Sequence, residues 1–365
     1  MVKLGEYVNI KTGKLDANAA SKNGKFPFFT CSAKPLKIGT YAYDCECVLV
    51  AGNGDLNVKY YNGKFNAYQR TYIIESKDKN ILSVPYLYVY LNQYIDVLRN
   101  QSIGGVIKYI KLSNLANAKI PLVDLEKQNS IVTKLFKLDD IIHKHYKQLA
   151  MLDTLVKSRF IEMFGDPISN PQGWPVKRLA ELSLLITNGN TPKGGSKNYV
   201  NKGILFLRSQ NVWKNRIDLE DVAYIDLNTH ANMSKSSVHD KDILITKTGR
   251  INTENSSLGR AALFRGADNS ANINGHVYLV RLDDTVVPEY VVAILTGEAY
   301  RKYIRKVCVG GIDKRQINLD QVENFPIILP PKEKQKQFAI FATQIDKSKF
   351  ECYISLDLLK LCAIC

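Results

Sequence analysis

The sequence predicts an α+β protein built from two structurally repeated α/β domains separated by two long antiparallel coiled-coil helices. Three observations carry this expectation. The chain repeats itself at an offset of 207 residues, from Gln128 to Gln335; each copy ends in a long helical stretch with a narrow apolar stripe; and the segments before those helices mix strand-like with helix-like patterning. A length of 365 residues fits about two domains of ~100–200 residues each, and 45% hydrophobic residues can furnish two cores.

The first domain is placed at residues 1–121. Residues 48–54, Val-Leu-Val-Ala-Gly-Asn-Gly, read as an apolar strand running into a glycine turn. Val84-Pro85 opens a helix-like stretch over 86–98, because proline is accepted in the first helical turn. Gly104-Gly105-Val106-Ile107-Lys108 follows, then Ile110-Lys111-Leu112-Ser113-Asn114-Leu115, Ile120-Pro121-Leu122 and Glu126-Lys127-Gln128.

The second domain, placed at residues 166–330, repeats that order. Its strand and turn lie at 243–249, and Val287-Pro288 opens a helix-like stretch over 289–304. Gly310-Gly311-Ile312-Asp313-Lys314 then precedes Ile317-Asn318-Leu319-Asp320-Gln321-Val322, Ile327-Ile328-Leu329-Pro330-Pro331 and Glu333-Lys334-Gln335. One such match could arise by chance; four in the same order define a duplicated unit.

Each unit runs into a spacer helix. In the central one, residues 122–165, a 4-3 spacing links Ile131, Leu135, Leu138, Ile142, His145, Leu149, Leu152, Val156, Arg159 and Met163, which is a coiled-coil seam. Gly165-Asp166-Pro167 terminates it, since glycine caps readily and proline cannot continue a helix. The second, residues 331–365, is shorter. Its stripe runs Phe338, Phe341, Ile345, Cys352, Leu359 and Cys362, interrupted by Ser348 and Ser355. Each seam needs a partner, and antiparallel pairing would bury both. At ~1.5 Å per residue, about 35 residues span roughly 50 Å, or one and a half turns of duplex DNA at ~34 Å per turn.

Charge narrows the partners. Fifty cations against 35 anions leave +15, which favours nucleic acid or an anionic membrane surface. The surplus is shared between the halves: residues 1–125 carry 16 cations against 9 anions, and residues 166–331 carry 21 against 17. The start of the chain lacks the apolar core of a signal peptide, and no run of about 18 apolar residues exists, so a cytoplasmic protein without membrane attachment is expected. Seven cysteines, an odd number without framework spacing, agree with a reducing compartment. Cys362 and Cys365 form the one CxxC, but no second ligand pair accompanies them and no metal site is expected.

Several chemistries lack their residues. The sole Pro-Pro, Pro330-Pro331, is followed by Lys332 and not by the aromatic of an amino-methyltransferase motif. The glycines around Asn53 lack the rest of a dinucleotide fingerprint, and no phosphate loop or GxSxG elbow is present. The acidic pairs Asp139-Asp140, Glu220-Asp221 and Asp283-Asp284 have no catalytic lysine or histidine at the right spacing, and read as surface charge.

What remains points to recognition. In the first domain, Lys11, Lys14, Asn53, Lys59, Tyr60, Lys64, Gln69 and Arg70 interleave cations, amides and an aromatic ring. In the second, the loop holding Asn190, Lys193 and Lys197 is followed by Arg208, Gln210 and Asn211, then by Lys247, Arg250 and Asn252. Arginine pairs with guanine edges and Asn or Gln with adenine, while lysine holds phosphates without reading sequence. Individually such residues are often solvated turns; clustering makes them candidates. A self-contained DNA methyltransferase or nuclease, and a basic RNA-binding module, are the rival functions. Turnover by the chain alone with DNA and S-adenosylmethionine would identify the first, and preference for RNA over duplex DNA the second.

The chain resembles the specificity subunits of type I restriction-modification enzymes over nearly its whole length. The resemblance rests on Lys3-Leu4-Gly5-Glu6, on Ile120-Pro121-Leu122 with Glu126-Lys127-Gln128, on Phe160-Ile161-Glu162-Met163-Phe164-Gly165-Asp166 at the helix end, and on Gly173-Trp174-Pro175-Val176-Lys177-Arg178-Leu179 beyond it. It implies two target-recognition domains that each read half of a bipartite DNA site, held apart by the helix pair. It further implies a non-catalytic chain with no cofactor of its own. The chain would recruit methyltransferase subunits using S-adenosylmethionine and, through them, a restriction subunit using ATP and Mg. The two domains differ in sequence, so the target is expected to be asymmetric.

Overall fold

A computed structural model describes residues 1–253 and 255–364, with side chains up to Lys360. The chain divides into two compact units, Met1–Lys144 with the last residues from Leu359, and His145–Leu358.

The first unit is organised by a six-stranded sheet of β1 (Val8–Thr12), β2 (Phe26–Phe29), β3 (Leu36–Ile38), β4 (Tyr43–Ala51), β5 (Val58–Ala67) and β6 (Thr71–Ser76), in the order β1-β6-β4-β5-β2-β3. The expected strand at 48–54 is the second half of β4. Its residues Cys47 to Ala51 are all buried, because α1 (Val84–Gln93) packs with Val48 and Val50 on one face while Phe29, Phe65 and Ile73 pack with Cys47 and Leu49 on the other. Ser83 caps α1 by accepting from the Tyr86 N–H at 3.3 Å, and Pro85 sits in its first turn.

The helix expected over 86–98 is in fact two, α1 and α2 (Ile95–Gln101), which meet at Tyr94. The second copy breaks likewise into α4 (Pro288–Thr296) and α5 (Glu298–Val307), where Gly297 turns to ψ 152° and bonds back to Ile294 O. Apolar periodicity continues across both breaks and so does not mark them.

In the second unit the strands split into smaller sheets. One is β7 (Ser183–Asn188), β15 (Val277–Leu282), β11 (Ile243–Thr246) and β13 (Ala261–Leu263), in that order. Another is β9 (Ala223–Ile225), β8 (Ile204–Leu207), β14 (Ala271–Ile273) and β10 (Ser237–Val238). A third joins β12 (Thr248–Arg250) to the hairpin β16 (Val309–Gly310) and β17 (Lys314–Gln316).

The duplication extends to individual hydrogen bonds. Tyr86 donates to Pro121 O at 2.7 Å and Tyr290 to Ile328 O at 3.0 Å; Tyr72 donates to Ile110 O at 3.0 Å and Tyr278 to Ile317 O at 2.9 Å. Asn114 accepts from the Lys111 N–H at 2.7 Å, as Gln321 does from Asn318 at 2.8 Å. Two chain segments of different sequence therefore satisfy their buried polar groups in the same way.

The long helices are α3 (Leu125–Phe164) and α6 (Lys332–Ile364). Each is fixed at its start by a fully buried glutamine. Gln128 accepts from Ser83 N–H at 2.9 Å and donates to Ile81 O and Val123 O at 2.7 Å; Gln335 accepts from Val287 N–H at 3.0 Å and donates to Pro330 O at 2.8 Å. At its far end α3 stops on Gly165, whose φ of +77° and close approach to Pro171 exclude a side chain. The Trp174 indole N–H covers the Phe164 carbonyl at 3.1 Å.

In α3 the stripe shielded from water runs through Ile131, Leu135, Leu138, Ile142, Leu149, Leu152, Val156 and Met163. Within the second unit α3 and α6 run antiparallel. His145 Nδ1 lies 3.1 Å from Cys352 Sγ, Lys349 pairs with Asp153 at 2.7 Å, and the Phe160 and Phe338 rings meet at 5.4 Å. Phe338 also meets Phe164, which packs on Tyr290 at 4.9 Å. Burying Phe164 and Phe338 stabilises by about 2–3 kcal/mol each.

Along α6, Phe338 is buried while Phe341, Ile345 and Leu359 are half-buried. The stripe differs from the expected one in its second half. It passes through Lys349 and the buried Leu356, while Ser348 faces water. The Lys349 stem packs into the seam and its ammonium is held by Asp153 and Asp346, so a cation occupies a seam position that an apolar count overlooks. The Cys362 and Cys365 pair lies outside the described side chains. No helix among the described residues is long and apolar enough to cross a membrane, and no group of three or more His, Cys, Asp or Glu among them could hold a metal ion.

Candidate nucleic-acid interface

Backbone hydrogen bonds gather part of the candidate set in the first unit. Gly52 N–H donates to Arg70 O at 2.8 Å, Gln69 N–H to Leu15 O at 2.9 Å, Gly54 N–H to Lys108 O at 2.9 Å, and Ile110 N–H to Gly52 O at 2.9 Å. The turns bearing Lys14, Asn53, Gln69 and Arg70 therefore share one edge with the 103–109 hairpin. Gln69 and Arg70 line a polar cleft of about 300 Å³ with Thr12, Gly52, Tyr72 and Ile110. Both side chains are exposed.

Other first-unit candidates are engaged locally. Lys11 pairs with Glu75 at 3.0 Å, Lys59 donates to Asn57, and the Lys64 ammonium sits 4.8 Å from the Tyr41 ring centroid. Burial lowers the Lys59 pKa. Tyr60 donates to Glu46 at 2.7 Å; burial, then that carboxylate, pushes its phenol up to about 12, so it is a neutral donor at neutral pH. Lys79 balances the Glu46 charge at 2.7 Å.

The second unit builds a similar edge. Gly189 N–H donates to Val277 O at 3.0 Å, Lys247 N–H to His276 O at 2.9 Å, and Ile317 N–H to Lys247 O at 2.9 Å. That last bond is the repeat of the one from Ile110 to Gly52. The Asn190 loop, Lys247 and Arg250 thus lie along one run of backbone, with Arg250 opposite Lys314 in the β12–β17 ladder. Asn190, Lys193 and Lys197 are exposed on a loop that turns through Gly194 and Gly195 at φ +92° and +59°. Arg250 pairs with Asp313 at 3.3 Å, Asn252 is exposed, and the Lys247 ammonium rests 5.6 Å from the Tyr278 ring centroid.

The segment 208–211, expected to contact DNA, is engaged within the protein. Asn211 is 2% exposed; its amide donates to Asp218 O at 3.0 Å and Asp221 O at 2.9 Å, and accepts from the Arg208 N–H at 2.9 Å. Both amide N–H donors are taken up within the protein and the side chain is buried, so Asn211 is a structural residue of this turn. Arg208 and Gln210 converge on the same acid, the first on Asp221 O at 2.6 Å and the second on its carboxylate at 2.7 Å.

Lys108, Lys314 and Arg315 belong to these edges but were not among the expected contacts. The Gly-Gly pairs carry the signal, because they place those cations on a tight hairpin at matching positions of the repeat. The stack of Arg260 on Trp213, at 3.9 Å, with Arg216 at 5.5 Å on the same ring, likewise left no spacing pattern to find.

Two copies of one α/β module, each closing a cation-bearing loop edge through matching backbone bonds and each followed by a long seamed helix, make this a duplicated two-module protein. The chain belongs to the type I restriction modification DNA specificity domain family, which matches residues 1–151 and 171–352.

Among its relatives, the type I restriction enzyme EcoDI specificity subunit of Escherichia coli is 37% identical over 156 residues, covering 43% of this chain and 34% of that protein. The MjaIX specificity subunit of Methanocaldococcus jannaschii is 24% identical over 260 residues, covering 67% of this chain and 57% of that protein. The chain's matches thus span about one third to somewhat over half of these relatives' length. Among solved structures, the type I restriction-modification S subunit from M. genitalium aligns with 99% of this chain and 92% of its own, at TM-score 0.65 and 13% identity. A chain from a structure concerned with complex assembly and conformational transition of the type I system aligns with 99% of this chain and 94% of its own, at TM-score 0.55 and 17% identity. These structures share the fold.

Proposed function

We propose that this chain is the sequence-reading subunit of a type I restriction-modification complex. The domains at 1–121 and 166–330 each contact one half of a bipartite, asymmetric duplex target. The helices at 122–165 and 331–365 set the half-site spacing and dock methyltransferase subunits, which bring the restriction subunit. The chain contributes no catalytic group. S-adenosylmethionine is used by the methyltransferase subunits and ATP with Mg by the restriction subunit, all in the cytoplasm.

The observation that carries this reading is the paired edge. In the first unit Gly52, bonded to both Arg70 and Ile110, holds the Arg70 turn beside a glycine hairpin, as Lys247, bonded to Ile317, does in the second. Lysines and arginines there dock phosphates, and the few exposed amides and arginines are placed to meet base edges. Methylome sequencing of cells with and without the chain tests it: one bipartite methylation motif is expected to vanish with the chain. Binding of the assembled complex to a duplex bearing that motif should weaken by on the order of a thousandfold from 50 to 200 mM salt, since phosphate contacts release counterions. An unchanged methylome, or a flat salt response, would overturn the corresponding part of the proposal.

A further inference from the structure

Both units project one aliphatic side chain fully into water at the same place in the repeat. Val106 is 104% exposed and Ile312 is 92% exposed, each at the tip of a Gly-Gly hairpin. Exposed apolar residues are common when scattered singly, so one of them would mean little. Here the same kind of side chain stands at matching positions of two modules whose other loops differ, and it contributes nothing to either core.

The hairpins are built to hold it there. Gly104 has φ +116° and a side chain on it would approach Ile107 O to 2.6 Å; Gly310 has φ +126° and would approach Lys314 O to 3.0 Å. Below the first tip, Ile103 and Tyr109 exchange bonds of 2.9 and 2.8 Å; below the second, Gly310 pairs with Arg315. Each hairpin is then tied to the cationic edge. Lys108 O accepts from Gly54 N–H, and Asp313 O accepts from Ile251 N–H at 3.0 Å beside the Arg250–Lys314 pair. An aliphatic tip thus stands on a hydrogen-bonded base beside cations, Lys108 after Val106 and Lys314 and Arg315 after Ile312, with the intervening Asp313 neutralised by Arg250 at 3.3 Å, on the edge assigned above to DNA.

We infer that Val106 and Ile312 are wedges that enter the minor groove and partly unstack one base step in each half-site, while Lys108 in one unit and Lys314 and Arg315 in the other hold the flanking phosphates. The inference rests on the DNA-reading function proposed above. Cations bring the tip to a polyanion, and next to phosphates the base faces are the apolar surface a β-branched side chain can cover; apolar wedges of this kind kink duplexes toward the major groove. A protein partner fits less well, because the exposed aliphatics of each hairpin, Ile103, Val106 and Ile107 in one and Val309 and Ile312 in the other, together offer far less than the ~1,200 Å² of a stable protein interface.

The test uses the assembled complex and a duplex carrying the methylation motif that the chain confers, with 2-aminopurine placed at successive steps of either half-site. The wild-type complex should raise the fluorescence at one step in each half-site. Val106→Ser and Ile312→Ser should each abolish the rise in one half-site only and weaken binding about tenfold. The slope of affinity against salt should stay unchanged, since no phosphate contact is lost. Both tips are in solvent, so melting temperatures should not move. No fluorescence rise with the wild type at any step, or variants that bind DNA normally but release methyltransferase subunits, would overturn the wedge. A wild-type complex that binds no duplex would instead remove the function on which the wedge rests.

Discussion

Asn211 has the chemistry of a base-reading side chain and the surroundings of a structural one. Its three hydrogen bonds hold the turn from Arg208 to Asp221, and truncation would leave buried backbone groups unpaired. Asn211→Ala is therefore expected to cost about 2 kcal/mol in urea unfolding. Arg70→Ala, on an exposed side chain, should leave stability within about 0.5 kcal/mol of wild type and weaken DNA binding. Equal stability of the two variants would refute the assignment of Asn211 to the fold. At this scale the sequence was a poor guide. The role of an amide depends on which groups come to meet it, and Asp218 and Asp221 reach Asn211 through a chain reversal that local spacing does not encode. The same holds for Tyr60, where Glu46 arrives from the paired strand β4.

The elements were more legible, because they follow from periodicity. The seam of α3 could be read from its 4-3 spacing, and Gly165-Asp166-Pro167 marked its end. The stripe of α6 slipped because Lys349 enters it as an ion-paired cation, and Leu356, one position beyond Ser355, carries the burial. The divided helices after Ser83 and Val287 were hidden because both parts bury apolar residues. Glu-Lys-Gln was visible twice as a sequence match, but only geometry shows that its glutamine anchors each long helix to the domain before it. Replacing Gln128 by Leu keeps the volume and orphans Ser83 N–H, Ile81 O and Val123 O. A loss of about 2 kcal/mol in urea unfolding is expected, and likewise for Gln335→Leu in its own unit. A loss below about 0.5 kcal/mol would mean that water replaces the amide.

For the whole molecule the repeat was the decisive signal, since an offset of 207 residues between matching motifs requires two modules whatever their loops do. It turns a diffuse +15 into two cationic edges, each on its own scaffold, with 40 and 33 helical residues in the long helices that follow them. If those helices act as the spacer of a bipartite target, their length must be written into the target itself. One heptad adds about 10 Å of helix at ~1.5 Å per residue, close to three base pairs of duplex at ~3.4 Å each. It also returns every later seam residue to the same face, so pairing survives when both helices are lengthened. Inserting seven residues after Leu149 and seven more after Lys349 should therefore leave both half-sites unchanged and lengthen the gap between them by about three base pairs in the methylome. Lengthening α3 alone puts His145 and Cys352 out of register and should abolish modification. An unaltered target from the double insertion would show that the spacing is set elsewhere, and the helices would then serve assembly alone.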